Sequence, residues 1–346
     1  IKARPWCCRP GVHNMKLRTY AIVFFVALLI VVGVALVTSS KNTKPPAAPT
    51  PTVRPSVTGP LFPEAISARS TSYVSIPREP TVVELPYYTI ASRLTAEGVV
   101  ALLSKQFVVQ GSPQKILGAK GEYFVLQQGY TNITVSGDPI SGSYVADASF
   151  SGILTGTAQA YIEKSRSLIE GLELPASPIS VSSPTLRYFA PTGNDPTPVP
   201  DARRATVIQI NYQYALGAVP LYVGSSSSPG VSVQYDGAGV VLSFRAIFMP
   251  ALTKQDKNVA LVPYQTAVER LLGGQGVLTD IAPAAPKNAF IAPFPPKTTA
   301  VTSVSIGYYY APGQDSVFPV YVFRGRGTQK ETGTEVLTTM LVSGLP

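Results

Sequence analysis

Two stretches of the chain alternate apolar and polar positions in nearly the same spelling. Ile208-Gln-Ile-Asn-Tyr-Gln-Tyr-Ala215 is followed by Pro220-Leu-Tyr-Val223, and Val304-Ser-Ile-Gly-Tyr-Tyr-Tyr-Ala311 is followed by Pro319-Val-Tyr-Val322. Ile208, Ile210, Tyr212 and Tyr214 in the first, and Val304, Ile306, Tyr308 and Tyr310 in the second, fall on every other residue, the period of a half-buried strand. Gly217 and Pro312-Gly313-Gln-Asp315 supply turn chemistry, and a proline opens each returning strand, where a missing N–H is tolerated. Each stretch predicts a hairpin with a tyrosine stripe on one face, and their likeness predicts a duplicated unit.

Elsewhere the spacing changes. Thr95 caps a predicted helix over 96–107, with Val99, Val100, Leu102 and Leu103 on its buried side. Short strands are expected over 122–128, 132–136 and 143–148, separated by Gly129, Gly137-Asp138-Pro139 and Gly142. A second helix is expected over 157–172, with Tyr161, Ile162, Ser165 and Ile169 facing inward, and then a long Pro- and Ser-rich connection over 175–200. Asp236-Gly237 inside 230–244 is the strongest local hairpin signal. A helix over 263–272 stops at Gly273-Gly274, and a Pro-rich connector over 282–296 leads to the second tyrosine hairpin. Helix, Pro-rich connector and hairpin thus recur in that order. The expected fold class is α+β, antiparallel sheets with packed helices in a duplicated arrangement, with a first part over 78–200 and a second over 201–346.

The N-terminal pattern is different in kind. Tyr20 to Val37 is a continuous uncharged apolar run, which at about 1.5 Å per residue spans roughly 27 Å, near a bilayer's hydrocarbon thickness. It reads as a single transmembrane helix; the alternative is a cleaved signal peptide, against which stand its length and the poor cleavage site at Val37-Thr-Ser39. Lys2, Arg4, Arg9, Lys16 and Arg18 precede it, so the N-terminus is expected in the cytoplasm and the body outside the membrane. Residues 1–19 are the expected cytoplasmic tail; Met15-Lys-Leu-Arg resembles a true start, leaving 1–14 as either read-through or a genuine tail. Residues 38–77 are rich in Pro, Ser and Thr and are expected to form a stiff spacer.

Charge and composition narrow the chemistry. The formal net charge is +9, yet every acidic residue lies at or after Glu64, and from there on basic and acidic residues nearly cancel. The surplus belongs to the N-terminal end and argues against nucleic acid as a partner. Cys7, Cys8 and the only histidine, His13, all precede the apolar run. A histidine triad, a catalytic cysteine and a His-containing zinc site are therefore excluded from the body. Phosphate-binding glycine patterns are missing, and neither a metal site nor a cofactor is expected. Paired carboxylates for glycoside hydrolysis remain an open alternative.

Around Phe318-Pro-Val-Tyr-Val-Phe-Arg-Gly325, preceded by Tyr308-Tyr-Tyr310 and by the helix ending at Leu272, the chain resembles bacterial extracytoplasmic domains of the PepSY and YycH/YycI kind. The first copy departs from that pattern, since Gly224 stands where Phe323 does. The resemblance implies a membrane-tethered sensing or regulatory module that touches a protein partner in the cell envelope. On these grounds the expected function is a non-catalytic, membrane-anchored interaction or regulatory module; the alternative is an envelope structural or adhesive protein that binds glycan or surface polymer. Tyr212, Tyr214, Tyr308, Tyr310, Tyr321 and Arg324 are the candidate partner-binding residues, although tyrosine at alternate strand positions also suits a half-buried face.

Overall fold

Alternation of the kind seen in the tyrosine stretches runs through most of the body. The structure, a computed structural model, describes residues 71–345 except 78–79, 81–83, 119–120, 138, 148–151, 193–194, 225–229, 285–295, 312 and 331. The described residues belong to one compact unit spanning Thr58–Pro346. The expected transmembrane run over 20–37 and the cytoplasmic tail lie outside them. Among the described residues, no helix is long and apolar enough to cross a membrane.

Among the described residues, nineteen strands form two sheets. In the nine-stranded sheet the order is β3 (Gln114–Gly118), β4 (Gly121–Gln128), β5 (Thr131–Ser136), β6 (Ile140–Val145), β14 (Val241–Phe248), β13 (Val231–Asp236), β10 (Val207–Tyr212), β8 (Thr185–Thr192) and β9 (Asp195–Val199), each pair antiparallel. The ten-stranded sheet is built on the long hairpin β17 (Thr298–Tyr310) and β18 (Ser316–Thr328). On one side stand β19 (Glu335–Ser343) and β16 (Val277–Pro283). On the other, β1 (Ser72–Val74) and β12 (Val219–Val223) both run parallel to β17, and β12 continues to β11 (Tyr214–Leu216) and β7 (Ile179–Val181). The start of β18 also pairs with β2 (Glu84–Ser92), which carries β15 (Ala251–Ala260).

The helices are three among the described residues: α1 (Ala96–Phe107), α2 (Ala158–Gly171) and α3 (Tyr264–Leu272). Thr95 and Thr157 cap the first two, each hydroxyl accepting from the backbone N–H three residues on, at 3.1 and 3.2 Å,. Helix α1 lies on β4, β5 and β6 and buries Val99, Val100 and Leu103. Gly142 permits this seat, because a Cβ there would come within 2.7 Å of the Phe248 ring and 2.9 Å of Leu103.

This architecture corrects the α+β expectation of antiparallel sheets with packed helices: the body is mostly β, two large sheets with only three short helices among the described residues. The reason lies in how proline was read. The supposed connection over 175–200 contains β7, β8 and β9. Pro196 and Pro198 stand in β9, an edge strand that pairs only with β8, so their missing N–H groups interrupt no interior ladder,. Most of the second connector, over 285–295, lies outside the described residues. Ser72–Val74, expected within the spacer, is a strand of the body, and each sheet draws strands from both sides of residue 200.

The duplicated arrangement is corrected as well. In the first stretch the chain breaks at Gln213: β10 belongs to the nine-stranded sheet and β11 to the ten-stranded one. Ala215 there faces Pro220, whereas in the second stretch Pro319 faces Tyr308. The two stretches also adjoin each other, with Leu221 beside Tyr308. Similar spelling has thus produced two different hairpins.

Candidate functional site

The passage of the chain between the sheets at Gln213 places a cleft of about 390 Å³ beside it. One wall comes from β8 and β10 through Thr185, Arg187, Gln209 and Asn211. The other comes from Tyr222 on β12, Thr279 and Asp280 on β16, Arg324 on β18 and Thr339 on β19. Strand alternation explains the polarity of the first wall. Ile208, Ile210 and Tyr212 point into the core at 0% exposure, so Gln209, Asn211 and Gln213 must point the other way.

The amides on that wall are held in place. Gln209 Nε2 donates to Asn211 Oδ1 at 2.8 Å and to Ser232 Oγ at 3.1 Å, and its Oε1 accepts from Gln234 Nε2 at 3.1 Å. Ser243 Oγ donates to Gln234 Oε1 at 2.9 Å. These bonds use both Nε2 hydrogens of Gln209 and hold Asn211 and Gln234 to it in a fixed network, so the groups left over for a ligand are the Asn211 Nδ2, the second Gln234 Nε2 hydrogen and the remaining acceptor lone pairs,.

On the opposite wall Tyr222 reaches across β17. Its ring passes over Gly307, where a Cβ would stand 2.9 Å from the ring. Its hydroxyl accepts from Arg324 Nη2 at 2.8 Å. Burial pushes the Tyr222 phenol above its ordinary value, and the positive Arg324 and the Gln213 side chain offset part of that rise,. The phenol is therefore neutral at physiological pH. It orients Arg324, whose side chain is exposed. Thr279 Oγ1 donates to the Thr339 carbonyl at 3.2 Å and ties β16 to β19 at the cleft. Asp280 is the one carboxylate among the lining residues, so the paired carboxylates of a glycoside hydrolase are not brought together here. Among the described residues, no group of three or more His, Cys, Asp or Glu could hold a metal ion.

The tyrosines named as candidate partner-binding residues are buried, on the side of the half-buried-face reading of the stripe. Tyr212 and Tyr214 are 0% exposed, Tyr308 and Tyr310 1%, and Tyr321 2%. Their hydroxyls are engaged inside the protein. Tyr212 lies 2.6 Å from Ser165 Oγ; Tyr214, Tyr308 and Tyr321 donate to the carbonyls of Ile247, Pro86 and Val262 at 2.7, 2.7 and 2.8 Å; Tyr310 accepts from Arg93 Nη1 at 3.2 Å. Tyr212 and Tyr214 back the cleft, and of the six candidates Arg324 alone offers an exposed side chain to it. The residues missed are Tyr222, Arg187, Gln209 and Asn211. For the two amides a signal existed in the polar letters between the apolar ones of β10.

Comparison of the chain with protein-family models, curated proteins and solved structures found no match.

Proposed function

We propose that the protein is a non-catalytic binding module of the cell envelope, anchored by residues 20–37 with its β body outside the membrane, and that its ligand is a hydroxyl-rich envelope glycan or surface polymer. The observation that carries this reading is the cleft between the sheets. Its lining is dominated by amides and hydroxyls, with Arg187, Arg324 and the single carboxylate of Asp280 among them. Sugar hydroxyls both donate and accept, and a wall of amide side chains meets both needs.

The test is binding of the full chain, in detergent, to a panel of envelope polysaccharides, alongside the Tyr222→Phe and Arg324→Gln variants. Loss of a charge-assisted hydrogen bond that orients Arg324 is expected to weaken glycan binding by about tenfold, the scale of roughly 1.5 kcal/mol. The reading fails if no polysaccharide is retained. If in addition a membrane protein co-purifies with the full chain and with both variants equally, the regulatory-module alternative takes its place.

A further inference from the structure

The polar wall of the cleft continues beyond it. Antiparallel partners share a face, so the cross-strand register extends the wall sideways over the nine-stranded sheet. In one row Arg187, Gln209, Gln234, Ser243, Val145 and Asn132 stand opposite one another on β8, β10, β13, β14, β6 and β5. In the next row stand Thr185, Asn211, Ser232, Arg245, Ser143 and Thr134. The opposite face of these strands carries Ile210, Val233, Phe244 and Ile133, all buried at 0–1%. The helices take that side, with α1 against β4, β5 and β6.

Neither row holds an acidic side chain, and Val145 is the one apolar member. Arg187 and Arg245 are exposed and have no ion-pair partner among the described residues. They stand three strand spacings and one row apart, about 16 Å at roughly 4.8 Å per strand and 3.4 Å per residue. Arg324 adds a third positive charge at the cleft, where with Arg187 it outnumbers Asp280, the one carboxylate among the lining residues. The amides between them are the hydrogen-bonded Gln209, Gln234 and Asn211. The rows carry no aromatic ring, so stacking on a flat sugar face is not the mode of recognition here. What they offer is fixed donors and acceptors for hydroxyl groups, punctuated by guanidinium groups whose planar geometry matches carboxylates.

We infer that the two rows are a docking track for a linear, carboxylate-bearing polysaccharide, one unit of which occupies the cleft while the chain crosses β13, β14 and β6. The inference rests on the reading of the cleft as a glycan site and adds the ligand's charge, its direction and its length. Arg245 is the discriminating residue. It lies on the track but does not line the cleft, and its side chain is exposed, with no hydrogen bond or ion pair among the described residues.

The test uses the full chain in detergent, titrated with a galacturonic-acid disaccharide, the corresponding hexasaccharide, a neutral glucose hexasaccharide and a polyglutamate peptide. The hexauronide is expected to bind about tenfold more tightly than the diuronide and the neutral hexamer, with an advantage that shrinks as salt rises. Arg245→Gln should remove the gain from length, leave disaccharide binding unchanged and leave the melting temperature unchanged. Equal affinity for short and long uronides with a silent Arg245→Gln overturns the track and leaves the cleft proposal standing. Equal binding of the neutral hexamer overturns the charge assignment, and polyglutamate binding as tight as the hexauronide overturns the polysaccharide in favour of an acidic peptide. Failure of every saccharide to bind overturns the cleft proposal as well.

Discussion

At the scale of single residues, the body uses tyrosine as a core residue with a polar end that must be placed. Tyr214 is fully buried, and its hydroxyl satisfies the Ile247 carbonyl; Gly230 lies against its ring, since a Cβ there would stand 2.7 Å from Tyr214 Cδ2. Tyr214→Phe should lower unfolding free energy by about 1–3 kcal/mol, because it strands a buried acceptor. Tyr310→Phe should cost less, since its Arg93 partner also donates to the Gln314 carbonyl and pairs with the exposed Asp315,. Chemical denaturation of the two variants side by side checks the ranking. Gly307→Ala tests the cleft from beneath. Its new methyl group would meet Tyr222 and Val322, and the expected result is a stability loss of about 1–3 kcal/mol with weakened glycan binding. Thr157, placed inside the expected second helix, is its cap, whereas the helix cap Thr95 and the inward direction of Ile208, Ile210 and Tyr212 were legible from the letters alone. The site was not. Gln209, Asn211 and Gln213 look like any solvent face of a strand, and nothing local says that β16, β18 and β19 close over one end of it.

At the scale of elements, local signals were legible in the sequence and non-local ones were not. Helix α1 was legible in both its bounds and its buried face, and the Asp236-Gly237 turn joins β13 to β14 as its dipeptide promised. Asp236 Oδ1 there accepts from the N–H groups of Ala238 and Val240 at 3.0 and 2.8 Å,. The α+β expectation failed because edge strands such as β9 and β15 tolerate proline and charge that an interior strand would not. Strand β1 was hidden for another reason: it is three residues long and depends wholly on β17 for its partner. This has a practical consequence. A soluble fragment beginning at Pro77 lacks β1, leaves the Thr298–Ala300 edge unpaired and removes Tyr73, which is 8% exposed. Such a fragment should be less stable than one beginning at Thr58 by about 2 kcal/mol or more, the worth of one large buried side chain. Comparative thermal melts of the two decide the matter.

At the scale of the whole molecule, burial of so many phenols links stability to alkaline pH. The Tyr73 and Tyr309 hydroxyls are both pushed up from 10.0 to about 12 by burial, and Tyr214, Tyr235 and Tyr308 are raised further by the same cause,. Each raised group favours the protonated, folded form. The contribution is complete below pH 10, the unfolded value, and is lost as pH rises through the folded value near 12,. Melting temperature should therefore hold steady up to about pH 10 and fall steeply above it, with tyrosinate absorbance appearing together with unfolding rather than before it. The global topology itself could not be read from the sequence, because its decisive pairings join distant segments: β6 with β14, β1 with β17 and β2 with β18. Those pairings also set an order of events during synthesis. Strands β3 to β6 can zip up as successive hairpins as soon as they emerge, but the free side of β6 then waits for nearly a hundred more residues. Strand β2 waits for β15 on one edge and for β18 on the other, and β1 waits longer than β6, until β17 has left the ribosome; the bond from Tyr308 to Pro86 spans 222 positions. Until the last strands arrive, the growing chain presents open strand edges that invite pairing with other chains. Chains halted before residue 298 should thus be caught by chaperones or degraded, and only the finished polypeptide should resist a protease pulse.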